Sequence, residues 1–107
     1  MKRMSLRTLL TLAVVFALPV HADTGYLTGP VSDLTSFSDG SLGIRLSNGV
    51  PGNCTGVAYG WMSIPASNKT MIAVALLVWQ NKGSVTVYTD ALSGGLCTIN
   101  QFDPVES

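Results

Sequence analysis

Histidine is almost missing from these 107 residues, and charge is scarce: one His, six Lys plus Arg and six Asp plus Glu. The single histidine, His21, lies in a leader-like start. Beyond it no Ser–His or Cys–His pair can form, and no imidazole is left to act as a general base, so an enzyme is not expected. Cations are equally few. After position 22 only Arg45, Lys69 and Lys82 remain, against Asp23, Asp33, Asp39, Asp90, Asp103 and Glu106, three against six and a net charge of −3. That leaves no basic groove for a phosphate backbone and argues against a nucleic-acid partner. Cysteine is limited to Cys54 and Cys97, and two sulfurs without a histidine make a poor zinc set, so neither metal nor cofactor is expected. Internal repeats and low-complexity segments are absent.

What is present begins with a targeting signal. Lys2, Arg3 and Arg7 precede the apolar run Leu9–Leu18, and Pro19-Val20-His21-Ala22 closes the segment on a small residue. This is the pattern of a secretory signal peptide, residues 1–22, cleaved after Ala22. A retained membrane anchor would need a longer apolar run. Residues 23–107 then form a single domain, secreted or periplasmic. In that compartment a Cys54–Cys97 disulfide is the default, with a free thiol pair as the alternative. A domain this small has a marginal core by area alone and gains from a staple or from partner subunits.

The chain is organised around Ser67–Gly83. Nine successive apolar residues, Met71–Trp79, are too many for a half-solvated strand and too few to span a bilayer, so no membrane span is expected after the leader. Ser67 or Asn68 suits a helix start, and Lys82 with Gly83 suits a helix end and its cap. The stretch predicts a buried helix of about four turns; a fully buried strand is the alternative. Trp79 is expected in the core or between subunits.

Around it the patterns are those of strands. Tyr26-Leu27-Thr28 is broken by Pro30; Val31–Phe37 alternates loosely; Asp39-Gly40 is a hairpin turn; and Leu42, Ile44 and Leu46 alternate cleanly with Gly43, Arg45 and Ser47. Cys54–Ile64 reads as a glycine-rich strand with Val57, Tyr59, Trp61 and Ser63 on one face. Val85, Val87 and Thr89 define the next strand. Leu96–Val105 supplies the last, with Cys97, Ile99 and Gln101 opposite Leu96, Thr98, Asn100 and Phe102. The resulting fold class is mainly β with one helix, a small barrel in the order β-β-β-α-β-β, with the helix plugging one end or covering a face.

Four side chains stand out as contacts for a ligand or partner: Tyr59, Trp61, Tyr88 and Arg45. Aromatics on an open face stack on sugar rings or fill the centre of a protein interface, and an arginine can clamp a carboxylate. Core packing for the aromatics and a solvated face for Arg45 are the competing readings. A carboxylate pair among Asp33, Asp39, Asp90 and Asp103 would be needed for a small hydrolase; aspartates at turns are the commoner explanation. Asn53-Cys54-Thr55 and Asn68-Lys69-Thr70 match glycosylation acceptors, as chance matches in an Asn- and Thr-containing chain also do.

Gly52-Asn53-Cys54 before a Tyr/Trp-containing strand, Met71–Leu77, Lys82-Gly83-Ser84-Val85-Thr86-Val87-Tyr88, and Leu96-Cys97 before a terminal strand carry a resemblance over Gly25–Val105. The chain resembles small bacterial exported proteins similar to the receptor-binding B subunits of subtilase-cytotoxin and pertussis-like AB5 toxins. That resemblance implies an OB-fold, a homo-oligomer assembled as a ring of five, a disulfide corresponding to Cys54–Cys97, and carbohydrate binding. No sugar-contacting residue of that family matches position by position here. Two functions follow as expectations: a non-catalytic secreted module recognising a glycan, or a periplasmic structural or protein-interaction domain without sugar binding.

Overall fold

A computed structural model describes residues 24–106; the expected signal peptide, Met1–Ala22, lies outside them. Five strands and one helix follow in the order β1 (Tyr26–Ser36), β2 (Leu42–Leu46), β3 (Met62–Ile64), α1 (Lys69–Gln80), β4 (Ser84–Thr89) and β5 (Cys97–Pro104). Each strand pairs with the next around a closed ring, β1-β2-β3-β5-β4 and back to β1.

The chain closes this ring by giving β1 two partners. Tyr26–Pro30 pairs antiparallel with β4, and Val31–Ser36 pairs antiparallel with β2, with an irregularity between Val31 and Asp33. Pro30 does not break the strand because it sits where the pairing changes hands: the Val31 N–H is donated to the Gly83 carbonyl and the Pro30 carbonyl accepts from Ser47 N–H. A proline is tolerated at such an irregularity because no continuous ladder needs its missing donor.

β4 follows its pattern without interruption, with Val85, Val87 and Thr89 buried. β5 does not. Its register shifts opposite Tyr88/Thr89, so Asn100 is left over between Ile99 and Gln101. Cys97 and Ile99 face the core, and after the shift Phe102 does as well. One extra residue reverses which parity faces inward, which is why the uniform alternation expected across Leu96–Val105 fails.

Two further elements depart from expectation. Cys54–Ile64 is not one strand but two 3₁₀ turns, Gly52–Cys54 and Ala58–Gly60, followed by a three-residue β3. Gly56 and Gly60 take left-handed φ values of 97° and 75°, which a continuous strand does not accommodate. The stretch around Met71–Trp79 is a helix, capped by Asn68, whose side-chain oxygen accepts from Met71 N–H at 3.3 Å. It is not buried all round. Ala75 and Val78 are buried, Met71, Ile72 and Val74 pack against the core edge, and Leu76, Leu77 and Trp79 are exposed. Lys82, not Gly83, takes the left-handed conformation that ends it, with φ 53°, and Gly83 N–H closes on the Val78 carbonyl.

The expected small OB-like barrel is therefore corrected to a plainer description. Mainly β with one helix stands, and so does the order of elements. The closure between β3 and β5, however, is a parallel seam of only two residue pairs, Met62↔Cys97 and Ser63↔Thr98, and the helix covers β5 and β1 from one side. A ring joined by so short a seam is described by its pairings and carries no assignment to an OB-type barrel. The Cys54–Cys97 disulfide, with Cα atoms 5.6 Å apart, reinforces the seam where Cys97 enters it.

Candidate functional site

Three connections converge beside the β3–β5 seam: the Phe37–Ser41 loop between β1 and β2, the turn from Val57 to Trp61, and Gly95-Leu96 ahead of β5. With Met62 and Ser63 they line an open cavity of about 430 Å³. Its walls are mostly apolar and aromatic, including Phe37, Val57, Tyr59, Trp61, Met62 and Leu96, with Ser38, Asp39, Ser41 and Ser63 as the polar groups.

Each wall has a local cause. Phe37 leaves β1 as the hairpin turns, its N–H bonded to the Ser41 carbonyl at 2.9 Å, and Gly40 N–H returns to the Phe37 carbonyl. Its ring lies over Gly43, where a Cβ would meet Phe37 Cε2 at 2.8 Å and Thr35 Cγ2 at 2.9 Å. Glycine at 43 is what lets the aromatic lie on the sheet. Asp39 is locked by the next turn residue but one: its Oδ1 accepts Ser41 Oγ–H at 2.6 Å and Ser41 N–H at 2.9 Å. Those two bonds, the hydroxyl first, hold the Asp39 carboxyl below the usual carboxylate value.

Tyr59 is the most exposed of the large hydrophobic side chains among the described residues, at 84%. Its backbone is left-handed, φ 58°, a conformation that is uncommon for a bulky residue and costs energy. The turn holds it there through Gly60 N–H to the Val57 carbonyl and Trp61 N–H to the Ala58 carbonyl. Trp61 is half-buried, and the Arg45 guanidinium lies 5.2 Å from its ring centroid. Arg45 is itself held by Asp33, Nε to Oδ2 at 3.3 Å. Trp61 lines the cavity and Arg45 does not.

Of the four side chains expected to meet a ligand or partner, Tyr59 and Trp61 share this cavity and Arg45 backs Trp61. Tyr88 stands apart, paired across β1–β4 with Tyr26 at 5.9 Å between ring centroids. The sequence does not single out Phe37 or Leu96 as site residues, and it offers Asp39 only as a turn residue and as one of four aspartates for a carboxylate pair. All three reach the cavity from loops whose convergence depends on strand pairing, and only the Asp39-Gly40 turn signal pointed to one of those loops.

Both glycosylation-like asparagines have structural partners. Asn53 Nδ2 donates to the Thr89 carbonyl at 3.0 Å while its Oδ1 accepts the Thr89 hydroxyl at 2.8 Å, and Asn68 caps α1. Three of the four aspartates are engaged separately, Asp33 by Arg45, Asp39 by Ser41, and Asp90 by Asn100 Nδ2 at 2.8 Å. Among the described residues no group of three or more His, Cys, Asp or Glu gathers to hold a metal ion. Among them, too, no helix is long and apolar enough to cross a membrane.

No protein-family model matches the chain, and no curated protein or solved structure matches it. This overturns the resemblance to AB5 toxin B subunits, and with it the OB-fold, the toxin-subunit role and the carbohydrate binding that rested on it. The segments that carried the likeness have reasons within this chain: Gly52-Asn53-Cys54 is a 3₁₀ turn held by the disulfide and by Thr89, and Lys82–Tyr88 is a helix end followed by a β-branched strand. What remains is a mostly-β unit with one helix, a disulfide and an aromatic cavity.

Proposed function

We propose that the chain is a non-catalytic module that works after export, in the periplasm or outside the cell, by binding a protein partner through the cavity between Phe37, Tyr59, Trp61 and Leu96. The observation that carries this reading is Tyr59: a large aromatic held at φ 58° and 84% exposed beside a half-buried tryptophan. Strained backbone persists where its surroundings over-determine it, and such positions concentrate at functional surfaces. Tyrosine and tryptophan are also the residues that dominate binding energy at protein interfaces, where each presents a large rigid surface. A photo-crosslinking side chain placed at Tyr59 in the producing cell is expected to capture one discrete protein, while the same group at exposed Asp103 is not. Equal labelling at both positions, or none at Tyr59, overturns the reading.

A second reading concerns α1. Leu76, Leu77 and Trp79 are exposed on a helix whose only charged residue is Lys69. Self-association through this face would cover them. Light scattering on the purified exported chain tests it, and a mass equal to one chain across the accessible concentration range counts against it.

A further inference from the structure

The cavity has three aromatic walls and one kind of charge. Phe37, Tyr59 and Trp61 line it together, and Asp39 is its one ionisable carboxylate; no lysine or arginine lines it. Aromatic faces carry negative potential and attract a cation placed within about 6 Å of the ring centroid. Asp39 adds a full negative charge, and both Ser41 donors converge on its Oδ1 and leave Oδ2 to other donors. Arg45 is outside the lining; it is paired with Asp33 and lies over the Trp61 ring, 5.2 Å from the centroid, so Phe37, Tyr59 and Asp39 are the groups that no cation among the described residues engages. The described residues as a whole repeat the sign: Asp33, Asp39, Asp90, Asp103 and Glu106 against Arg45, Lys69 and Lys82, five against three.

We infer that the cavity takes a cationic side chain of the protein partner, a lysine ammonium or its methylated form, seated among Phe37, Tyr59 and Trp61 and facing Asp39. This rests on the reading of the cavity as a protein-binding surface and adds to it the chemistry of what enters. The alkyl stem of such a side chain covers the apolar walls at Val57 and Leu96, and the head meets the carboxylate and the ring faces. An uncharged side chain of equal length would gain the first contact and forgo the second.

The test is an NMR titration of the intact disulfide-bonded chain, following the Trp61 indole N–H. The probes are an acetylated and amidated Leu-Lys-Leu peptide, its trimethyl-lysine form, its norleucine form, and tetramethylammonium alone. The charged peptides are expected to bind about tenfold more tightly than the norleucine peptide. Asp39→Asn, whose amide oxygen can still accept from Ser41, should bring that ratio close to unity, as should Tyr59→Ala. Norleucine binding as tightly as lysine, or a ratio unchanged in Asp39→Asn, overturns the inference. Tetramethylammonium binding as tightly as the lysine peptide overturns the commitment to a peptide source. These failures leave the partner reading intact if crosslinking at Tyr59 persists; loss of that crosslink removes the partner reading itself.

Discussion

Asn53 and Thr89 exchange hydrogen bonds across the fold: Asn53 Nδ2 donates to the Thr89 carbonyl, and the Thr89 hydroxyl donates back to Asn53 Oδ1 at 2.8 Å. Thr89 is only 5% exposed, so neither its hydroxyl nor its carbonyl has water as an easy substitute. The Asn53 backbone extends the same junction, its N–H bonded to the Thr24 carbonyl and its carbonyl accepting from Leu92 N–H. This one residue ties the turn before Cys54 to the end of β4 and to the loop beyond it.

Asn53→Ala should therefore cost about 2–3 kcal/mol, since it strands two buried groups on Thr89. Thr89→Val removes only the hydroxyl and leaves the Asn53–carbonyl bond, and about 1 kcal/mol is expected. Urea unfolding midpoints at constant slope check both values.

The disulfide closes a separation of 43 residues that includes β3, α1 and β4. Constraining a loop of that length in the unfolded chain stabilises the native state by up to about 4 kcal/mol. Reduction, or the paired change Cys54→Ala with Cys97→Ala, should lower the melting temperature. Adding a reductant should have no further effect on the double variant, and thermal melts with and without it distinguish the staple from packing losses.

Gly43→Ala is expected to destabilise by about 1–3 kcal/mol, because its Cβ would press on the Phe37 ring at 2.8 Å and on the Thr35 methyl at 2.9 Å. The ring is the freer of the two to move, so the change should also reshape the cavity. A shift of the Phe37 ring resonances larger than that of Phe102, which is buried elsewhere in the core, would mark this cause. A variant as stable as the parent would show that the ring has another resting place.

Asp39 sets a pH dependence with a definite sign. Its folded-state carboxyl is held below the ordinary value of 3.8 by the Ser41 hydroxyl and then the Ser41 N–H. Stability from this group is present above 3.8 and is lost as the pH falls through the folded-state value. Ser41→Ala removes the larger of these effects, so the Asp39 carboxyl should titrate closer to 3.8 in the variant. NMR titration of the Asp39 side-chain carbon measures this directly, and an unchanged midpoint would contradict the hydrogen-bond cause.

How much of this was legible in the sequence depended on whether a local pattern met a local structure. Val85, Val87 and Thr89 alternate and are buried in the same alternation, because the extra residue at the β4–β5 irregularity, Asn100, lies on β5 and leaves the two-residue period of β4 intact. Cys54–Ile64 also alternates, but its small residues Gly56, Ala58 and Gly60 give no evidence of a buried face, and two of these glycines serve left-handed turns. Four glycines between positions 49 and 60, with Pro51 among them, are the available signal for a turn. Tyr59 and Trp61 do end in one cavity, although a turn brings them there and not a shared strand face. Phe37, Asp39 and Leu96 lie 20 or more residues from that pair in sequence and meet it only through the β2–β3 and β3–β5 pairings, which no local pattern encodes.

The helix offers the sharpest contrast between neighbouring positions. Leu77 is 60% exposed and Val78 is 7% exposed, although the sequence around them is apolar throughout. Val78 points at the core, and Gly83 folds back over it, where a Cβ would rest against Val78 Cγ1 at 3.4 Å. Val78→Asn should place an amide without partners in that site and cost about 3 kcal/mol or more. Leu77→Gln faces solvent in a single chain and should change stability by no more than about 0.5 kcal/mol. Chemical denaturation of the two variants, each at low and at high protein concentration, separates the cases. If α1 joins copies of the chain, Leu77→Gln will match the parent when dilute and fall below it when concentrated. The Val78→Asn deficit will be present at both concentrations. A Leu77→Gln variant that tracks the parent throughout would leave that helix face without a role in self-association.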